Sequence, residues 1–390
     1  MAEAARRGKA SEQSISTWKR QFLEGGKAGL VEGGKPGLNA RERALLEEVE
    51  ELKAALGEAH VELRVWKRSA EYVPHATRLI DYKYRVRAAR ITELGKPPDL
   101  AEVEQPGFGA GQALVEVLAA GLNPVDISTG SGKFYGGNPE TPYTPGYEAV
   151  GRVLEGDSLG AGDRVYFRGS GTFAERTVVD ESAAIPVPDS VSDEIAVACG
   201  IAGLTGWLAP SWRAPVRPDD TVLVLGATGV VGSVAAQAAK LLGAKRVIAA
   251  GRNEQALERL RAAALVETVR LPADELPEAT LILDALWGKP LEAAMKAAQR
   301  PVRVVQIGQS AGPEATLESN WVRGKLAEIY GFSLFFVPPD VVRAGYLELA
   351  GHVSAGRIAI EIDSYPLERV ADAWERQQQS PNAKIVLTNG

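Results

Sequence analysis

Cysteine is nearly absent from this 390-residue chain, where Cys199 stands alone. One thiol excludes an internal disulfide framework and any metal site built from a cysteine cluster. Histidine is almost as scarce, limited to His60, His75 and His352. No run of eighteen apolar residues occurs, so no membrane span is expected, and the N-terminus lacks the short apolar core of a signal peptide. The cytoplasm is then the expected compartment. What remains, 45% hydrophobic and 24% charged, is an ordinary globular composition with room for two or three domains.

Charge divides the chain unevenly. Residues 1–85 carry 16 Lys and Arg against 13 Asp and Glu, whereas the rest carry 28 against 37. A mildly basic head on an acidic body suggests two parts of different origin. The acidic body argues against nucleic-acid binding by the main domain.

Residues 221–252, TVLVLGATGVVGSVAAQAAKLLGAKRVIAAGR, carry the strongest local signal. Thr221 to Leu225 is a short β-branched apolar run, followed by the turn Ala227-Thr228-Gly229-Val230-Val231-Gly232. An Ala/Leu/Gln-rich helix and a second apolar run, Arg246 to Ala250, complete a βαβ unit. At Gly229 the missing Cβ lets the backbone approach a pyrophosphate. Gly232 lets the helix pack on the strand, with free N–H groups at its N-terminus facing the phosphates. A dinucleotide site is expected, a purely structural turn being the alternative.

The end of the second strand selects the cofactor. An NAD site usually places an acid about twenty residues past the glycines. Here Ala250-Gly251-Arg252-Asn253 offers no acid before Glu254. The planar fork of Arg252 suits a 2′-phosphate, so NADP is preferred. A solvated arginine at the start of the next helix is the alternative.

The head has its own pattern. Ile15, Trp18 and Phe22 lie on one side of a basic helix that Ser11 would cap. After a glycine-rich link, Leu45, Val49, Leu52, Leu56, Ala59, Leu63 and Trp66 alternate steps of four and three, a seam for a partner helix. The segments TWKRQFLEGGKAGL and ELKAALGEAHVELRVWKRS resemble the small helix-turn-helix and coiled-coil protein of insertion-sequence transposases, over about residues 4–71. That family binds transposon ends, but its first helix is missing here, so nucleic-acid binding is not expected. Residues 72–85 read as a linker. The sequence then suggests a fused transposon fragment or an over-extended reading frame, with the body starting near Val86.

From residue 86 the body falls into three parts. Residues 86–210 carry Gly/Pro punctuation between short Val/Leu/Ile runs, a β-rich signature. Residues 211–337 alternate helical stretches with the strands VLVLG, RVIAA, LILDA and VRVVQIG, which predicts a parallel sheet. Residues 338–390 end on AKIVLTN, a strand able to rejoin the first part.

The motifs AAGLNPVDISTGSGKFYG, TPGYEAVGRV, GAGDRV, FAERTVV, GLTGW, GATGVVG, VVQIGQSAG and NAKIVL run in one order through some 300 residues. They resemble the medium-chain dehydrogenase/reductase superfamily, in its zinc-independent quinone oxidoreductase branch. The resemblance implies an α/β protein: a GroES-like β-rich catalytic domain plus a Rossmann doubly wound parallel sheet, preceded here by the helical extension. It also implies a homodimer and a small-molecule substrate. Zinc-dependent relatives need a cysteine and a histidine where this chain has Asn123 and Tyr147, so no metal is expected.

The same resemblance marks further site residues. Asn123 would sit near the nicotinamide ribose and substrate as a catalytic residue. Tyr135 would offer its hydroxyl to a carbonyl oxygen or merely line the pocket. Thr205 would approach the nicotinamide, Gly308 would lie beside its ribose, and Lys384 would face the cofactor cleft. Asn382-Ala383 replaces the family's usual glycine pair, and Ser128 replaces a tyrosine. Asp284 is expected as a strand-end hydrogen-bonding residue. Phe332, Phe335 and Phe336 form an aromatic wall or pack in the core. The expected function is an NADPH-dependent, zinc-free oxidoreductase passing hydride to a quinone, activated alkene or carbonyl. The alternative is a DNA-binding protein whose reductase-like body senses redox state.

Overall fold

The computed structural model describes residues 85–390, except 135, 265, 274 and 390. The helix-turn-helix, heptad seam and linker expected before residue 85, and Tyr135, lie outside the described residues.

Two antiparallel strands open the fold, β1 (Arg85–Arg90) and β2 (Asp99–Glu104). A seven-stranded sheet follows, built from β3 (Gln112–Leu122), β4 (Glu148–Glu155), β5 (Arg164–Arg168), β6 (Arg176–Asp180) and β7 (Ile185–Pro186). Its last two members come from the far end of the chain, β14 (Ile362–Pro366) and β15 (Lys384–Thr388). β15 pairs antiparallel with β3, placing Ile385 opposite Leu122. This pairing brings the C-terminal segment to the strand that leads into helix α1 (Pro124–Gly130). The first helical position of α1 is proline, where the missing N–H costs no hydrogen bond.

The second sheet is wholly parallel, in the order β10-β9-β8-β11-β12-β13. Its strands are β8 (Thr221–Leu225), β9 (Arg246–Gly251), β10 (Glu267–Arg270), β11 (Leu281–Asp284), β12 (Arg303–Gln306) and β13 (Glu328–Gly331). Helices cover both faces, so β8 must be apolar on both. Val222 and Val224 enter one core cluster and Leu223 and Leu225 another, each at most 1% exposed. The order reverses between β8 and β11, and such a switch point opens a crevice at the strands' carboxyl ends.

A broken helical stretch, α2 (Asp193–Arg213), joins the two sheets. By length and composition it could cross a membrane, yet most of it is buried inside the fold. Its Leu204 and Trp207 share a core cluster with Val150 and Tyr166 of the mixed sheet and with Val222 of the parallel sheet. The border expected at residue 210 therefore falls within an element that belongs to both halves. The remaining helices named here are α3 (Val230–Leu241), α4 (Glu254–Ala264), α5 (Gly288–Ala297), α6 (Ser319–Gly324), α7 (Pro339–Ser354) and α8 (Val370–Gln378).

Candidate active site

The turn after β8 is shaped by four glycines with different tasks. Gly226 adopts φ +82°, a left-handed conformation that disfavours any Cβ. A Cβ on Gly229 would meet only the Gly226 carbonyl oxygen, 3.6 Å away, so this side of the turn is open to an approaching group. A Cβ on Gly232 would stand 2.3 Å from the Gly226 carbonyl oxygen, so only glycine lets α3 start this close to the turn. At Gly251, ending β9, it would stand 2.5 Å from the Thr228 methyl. Ser233 N–H makes the first helical bond, to the Gly229 carbonyl at 2.8 Å. The amides of Val230, Val231 and Gly232 precede it and form the usual anion-binding start of a helix.

Beside the turn lies a groove of about 470 Å³, lined in part by Thr228, Gly229, Arg252, Lys289, Ser310 and Asn382. No Asp or Glu occurs among its described lining residues. Lys289 pairs with Glu292, whereas Arg252 makes no ion pair with a described residue and is exposed at the end of β9. Ala227 is fully buried and contributes only its backbone to the turn. Glycine-backed amides, an open approach and an excess of cations fit the diphosphate and adenosine end of a dinucleotide.

Asn382 closes this groove from the other half of the molecule. Its φ is +59°, the left-handed region that glycine and asparagine tolerate best. Nδ2 donates to the Thr228 carbonyl at 3.0 Å, and Oδ1 accepts from Asn253 Nδ2 at 2.8 Å. Asn382→Ala is expected to destabilise by about 1 kcal/mol more than Asn382→Gly, because both lose the two bonds but only alanine is strained. Denaturant midpoints that coincide for the two variants would rule out a backbone cost here.

A second cleft, about 720 Å³, lies next to α1, α2 and the end of β12. Thr205, Gly308, Ser128 and the aromatic group Phe332, Phe335 and Phe336 all line it. Thr205 spends its hydroxyl on the Ile201 carbonyl at 2.6 Å. A Cβ on Gly308 would approach the Ala285 carbonyl oxygen to 2.9 Å. Of the three phenylalanines, Phe332 is 7% exposed and Phe336 83%, so they grade from core to cleft mouth.

Asn123 and Lys384 meet, but beneath the cleft and not on its wall. The Lys384 ammonium donates to Glu148 Oε1 (2.7 Å), Asn123 Oδ1 (2.6 Å) and the Leu122 carbonyl (3.3 Å). Asn123 Nδ2 donates to Glu148 Oε1 at 2.8 Å and to the Gly121 carbonyl at 3.0 Å. The other carboxylate oxygen of Glu148 accepts from Tyr166 OH (3.0 Å) and Ile201 N–H (2.5 Å). Lys384 and Asn123 are each 2% exposed and Glu148 is fully buried, so every polar atom must be matched within the protein. Neither residue lines the cleft: Lys384 is held by the buried carboxylate, and Asn123 caps the start of α1.

Two glycines make room for the pair. A Cβ on Gly121 would lie 2.4 Å from Glu148 Oε1, and one on Gly200 2.1 Å from Glu148 Oε2. The network thereby pins β3, α1, β4, α2 and β15 at one point directly under the cleft. Sequence reasoning passed over Glu148, Tyr166, Gly121 and Gly200. Glu148 stood inside a quoted motif, but nothing local reveals a partner 236 residues away.

Neighbouring polar groups complete the picture. Asp126 accepts from the Asn123 N–H at 2.8 Å, and burial pushes its carboxyl up to about 7. Tyr147, at the position where zinc-dependent relatives need histidine, shares a hydrogen bond with Thr129 at 3.1 Å. Asp284 accepts from the amides of Leu286 and Trp287, holding the turn after β11 as expected of a strand-end residue. Burial pushes the Cys199 thiol up to about 12, which leaves it un-ionised and unreactive. His352 Nδ1 accepts from Arg357. Among the described residues, no three His, Cys, Asp or Glu side chains are placed to hold a metal.

A GroES-like β domain that takes back its own C-terminal strand around a doubly wound parallel sheet is the architecture of the medium-chain dehydrogenases/reductases. Family models agree: an alcohol dehydrogenase GroES-like domain matches residues 109–189, and a zinc-binding dehydrogenase domain matches 242–387. Quinone oxidoreductase of Rattus norvegicus is 30% identical over 312 residues, covering 74% of this chain and 93% of the relative. A solved quinone oxidoreductase of Pseudomonas syringae superposes with TM-score 0.71 at 22% identity, over 78% of this chain and 99% of that one. A mycobacterial protein solved in complex with NADPH gives TM-score 0.70 at 23% identity, over the same shares. The chain belongs to the quinone oxidoreductase family of the medium-chain dehydrogenase/reductase superfamily. It is an NAD(P)H-dependent oxidoreductase.

Proposed function

We propose that the protein uses NADPH and, without a metal, reduces a quinone, an activated alkene or a carbonyl compound. The observation that carries this reading is the groove at the β9 end, where Arg252 makes no ion pair with a described residue and no described acid lines the wall. An arginine fork there suits a 2′-phosphate, whereas a ribose 2′-hydroxyl would call for a carboxylate. The bound cofactor supplies the hydride. Around it, the chain's own residues bind and orient. The amides after Gly229 hold phosphate oxygens, Gly308 and Thr205 flank the cleft, and the aromatic group excludes water from one wall.

Positions 123 and 147 carry carboxamide and phenol, neither a good zinc ligand. Asn123 is, in addition, fully engaged with Lys384 and Glu148. Substrate polarisation is then left to hydrogen bonds. The test is NADPH oxidation, followed at the nicotinamide absorbance, with a panel of quinones, enones and aldehydes. Turnover should persist in the presence of a chelator and be slower with NADH at equal subsaturating concentration. Loss of activity on chelation, or a preference for NADH, would overturn the reading.

A further inference from the structure

Among the described residues that line the larger cleft are two cations, Lys133 and Arg213, and no acid. Lys133 lies on the loop that follows α1, with its backbone N–H on the Ser128 carbonyl, and Arg213 lies at the end of α2. Neither forms an ion pair with a described residue, and no Asp or Glu is found among the described lining residues. Some cations of the fold are held by acids, as at Arg164–Asp193, Arg246–Glu267 and Arg303–Asp220. The protein as a whole is acidic, at −6. Cations gathered in a cleft with no facing acid focus the field there, the more so in an acidic protein.

Arg213 is also held in position before anything binds. Its Nε donates to the Gly331 carbonyl at 3.0 Å, and its guanidinium carbon sits 4.6 Å from the centre of the Tyr330 ring. The terminal nitrogens keep their N–H donors for a planar, two-oxygen acceptor. The same cleft offers apolar surface from Trp212, Phe332, Phe335 and Phe336. Trp212 and Phe332 meet edge to face at 6.4 Å, which fixes the indole as part of the wall.

We infer that the substrate cleft selects a planar, apolar acceptor bearing an anionic group, such as a sulfonate or carboxylate, that Lys133 and Arg213 receive. This rests on the proposed reductase reading and adds the charge of the substrate to it. The cofactor's own phosphates do not account for the pair in the same way, because the phosphate turn and Arg252 line the separate groove.

The test compares 1,4-naphthoquinone with its 2-sulfonate, matched in ring and differing in charge. Equilibrium binding to the full-length protein, read by quenching of tryptophan fluorescence, is measured beside KM, because the sulfonate also changes the reduction potential. At low ionic strength the sulfonate should bind about tenfold more tightly than the neutral quinone, a ratio typical of one or two partly screened charge pairs. Raising the salt from 0.05 to 0.5 M (about a threefold shorter screening length) should remove most of that ratio in the unmodified protein. Lys133→Gln with Arg213→Gln should collapse it, and Arg213→Lys should restore part.

Equal dissociation constants for the two quinones at low salt would overturn the inference, with the reductase reading intact if both are still reduced. A double variant that weakens NADPH binding as much as sulfonate binding would also overturn it, by assigning the cations to the cofactor. If neither quinone is reduced, the reductase reading fails for quinones, and the binding ratio alone decides the charge preference.

Discussion

Replacing Arg252 with glutamate is expected to raise the dissociation constant for NADPH by about a hundredfold and that for NADH by less than about threefold. A charge-assisted hydrogen-bonded pair contributes about 1.5–3 kcal/mol, and the reversed charge adds repulsion against the same phosphate. Arg252 is exposed at the end of β9 and makes no ion pair with a described residue, so its loss leaves no buried partner stranded. Stability should hardly move. The measurement is a titration of nicotinamide fluorescence at two ionic strengths. The NADPH penalty should shrink at high salt, since an exposed pair is screened. Equal weakening of both cofactors would refute a 2′-phosphate role and return Arg252 to a solvated surface residue.

Much of the parallel sheet was legible because its strands are apolar on both faces and short. The runs TVLVL, RVIAA and LILD became β8, β9 and β11 with few polar interruptions to mislead. The turn was legible for a related reason. Its glycines answer local demands, so Gly232 and Gly251 can be read without knowing what lies across the fold.

Contacts between distant segments were not legible. Lys384 sits in a strand whose sequence, KIVLT, says only that the side chain points to one face of a sheet. Which partner it finds depends on β15 pairing with β3, and that pairing brings it to Asn123 and Glu148. Asn382 is an intermediate case. Its departure from a glycine pair was visible in the sequence. The left-handed φ shows why asparagine is an acceptable substitute, while its hydrogen bonds to Thr228 and Asn253 could come only from the fold. The border expected at residue 210 falls inside α2, a helical stretch that Gly200, with ψ −130°, breaks internally.

Lys384→Met should cost about 3–5 kcal/mol in unfolding free energy, since removing one partner strands a buried charge. Glu148 would keep Asn123, Tyr166 and Ile201 as donors but lose its only cation at hydrogen-bonding distance among the described residues. A fall in thermal midpoint on the order of 10 °C is the expected readout. Adding Glu148→Gln should recover part of the loss, because the carboxamide has no charge to strand. The two changes together should then cost at least about 1 kcal/mol less than their sum, as expected of residues in direct contact. Below its lowered midpoint, the Lys384→Met protein should bind NADPH with nearly the original affinity, because the ammonium is spent beneath the cleft. The opposite pattern is equally clear. If Lys384→Met melted within about 2 °C of the original protein but bound NADPH at least tenfold more weakly, the ammonium would be reaching the cofactor. The expectation drawn from the sequence would then stand over the buried network.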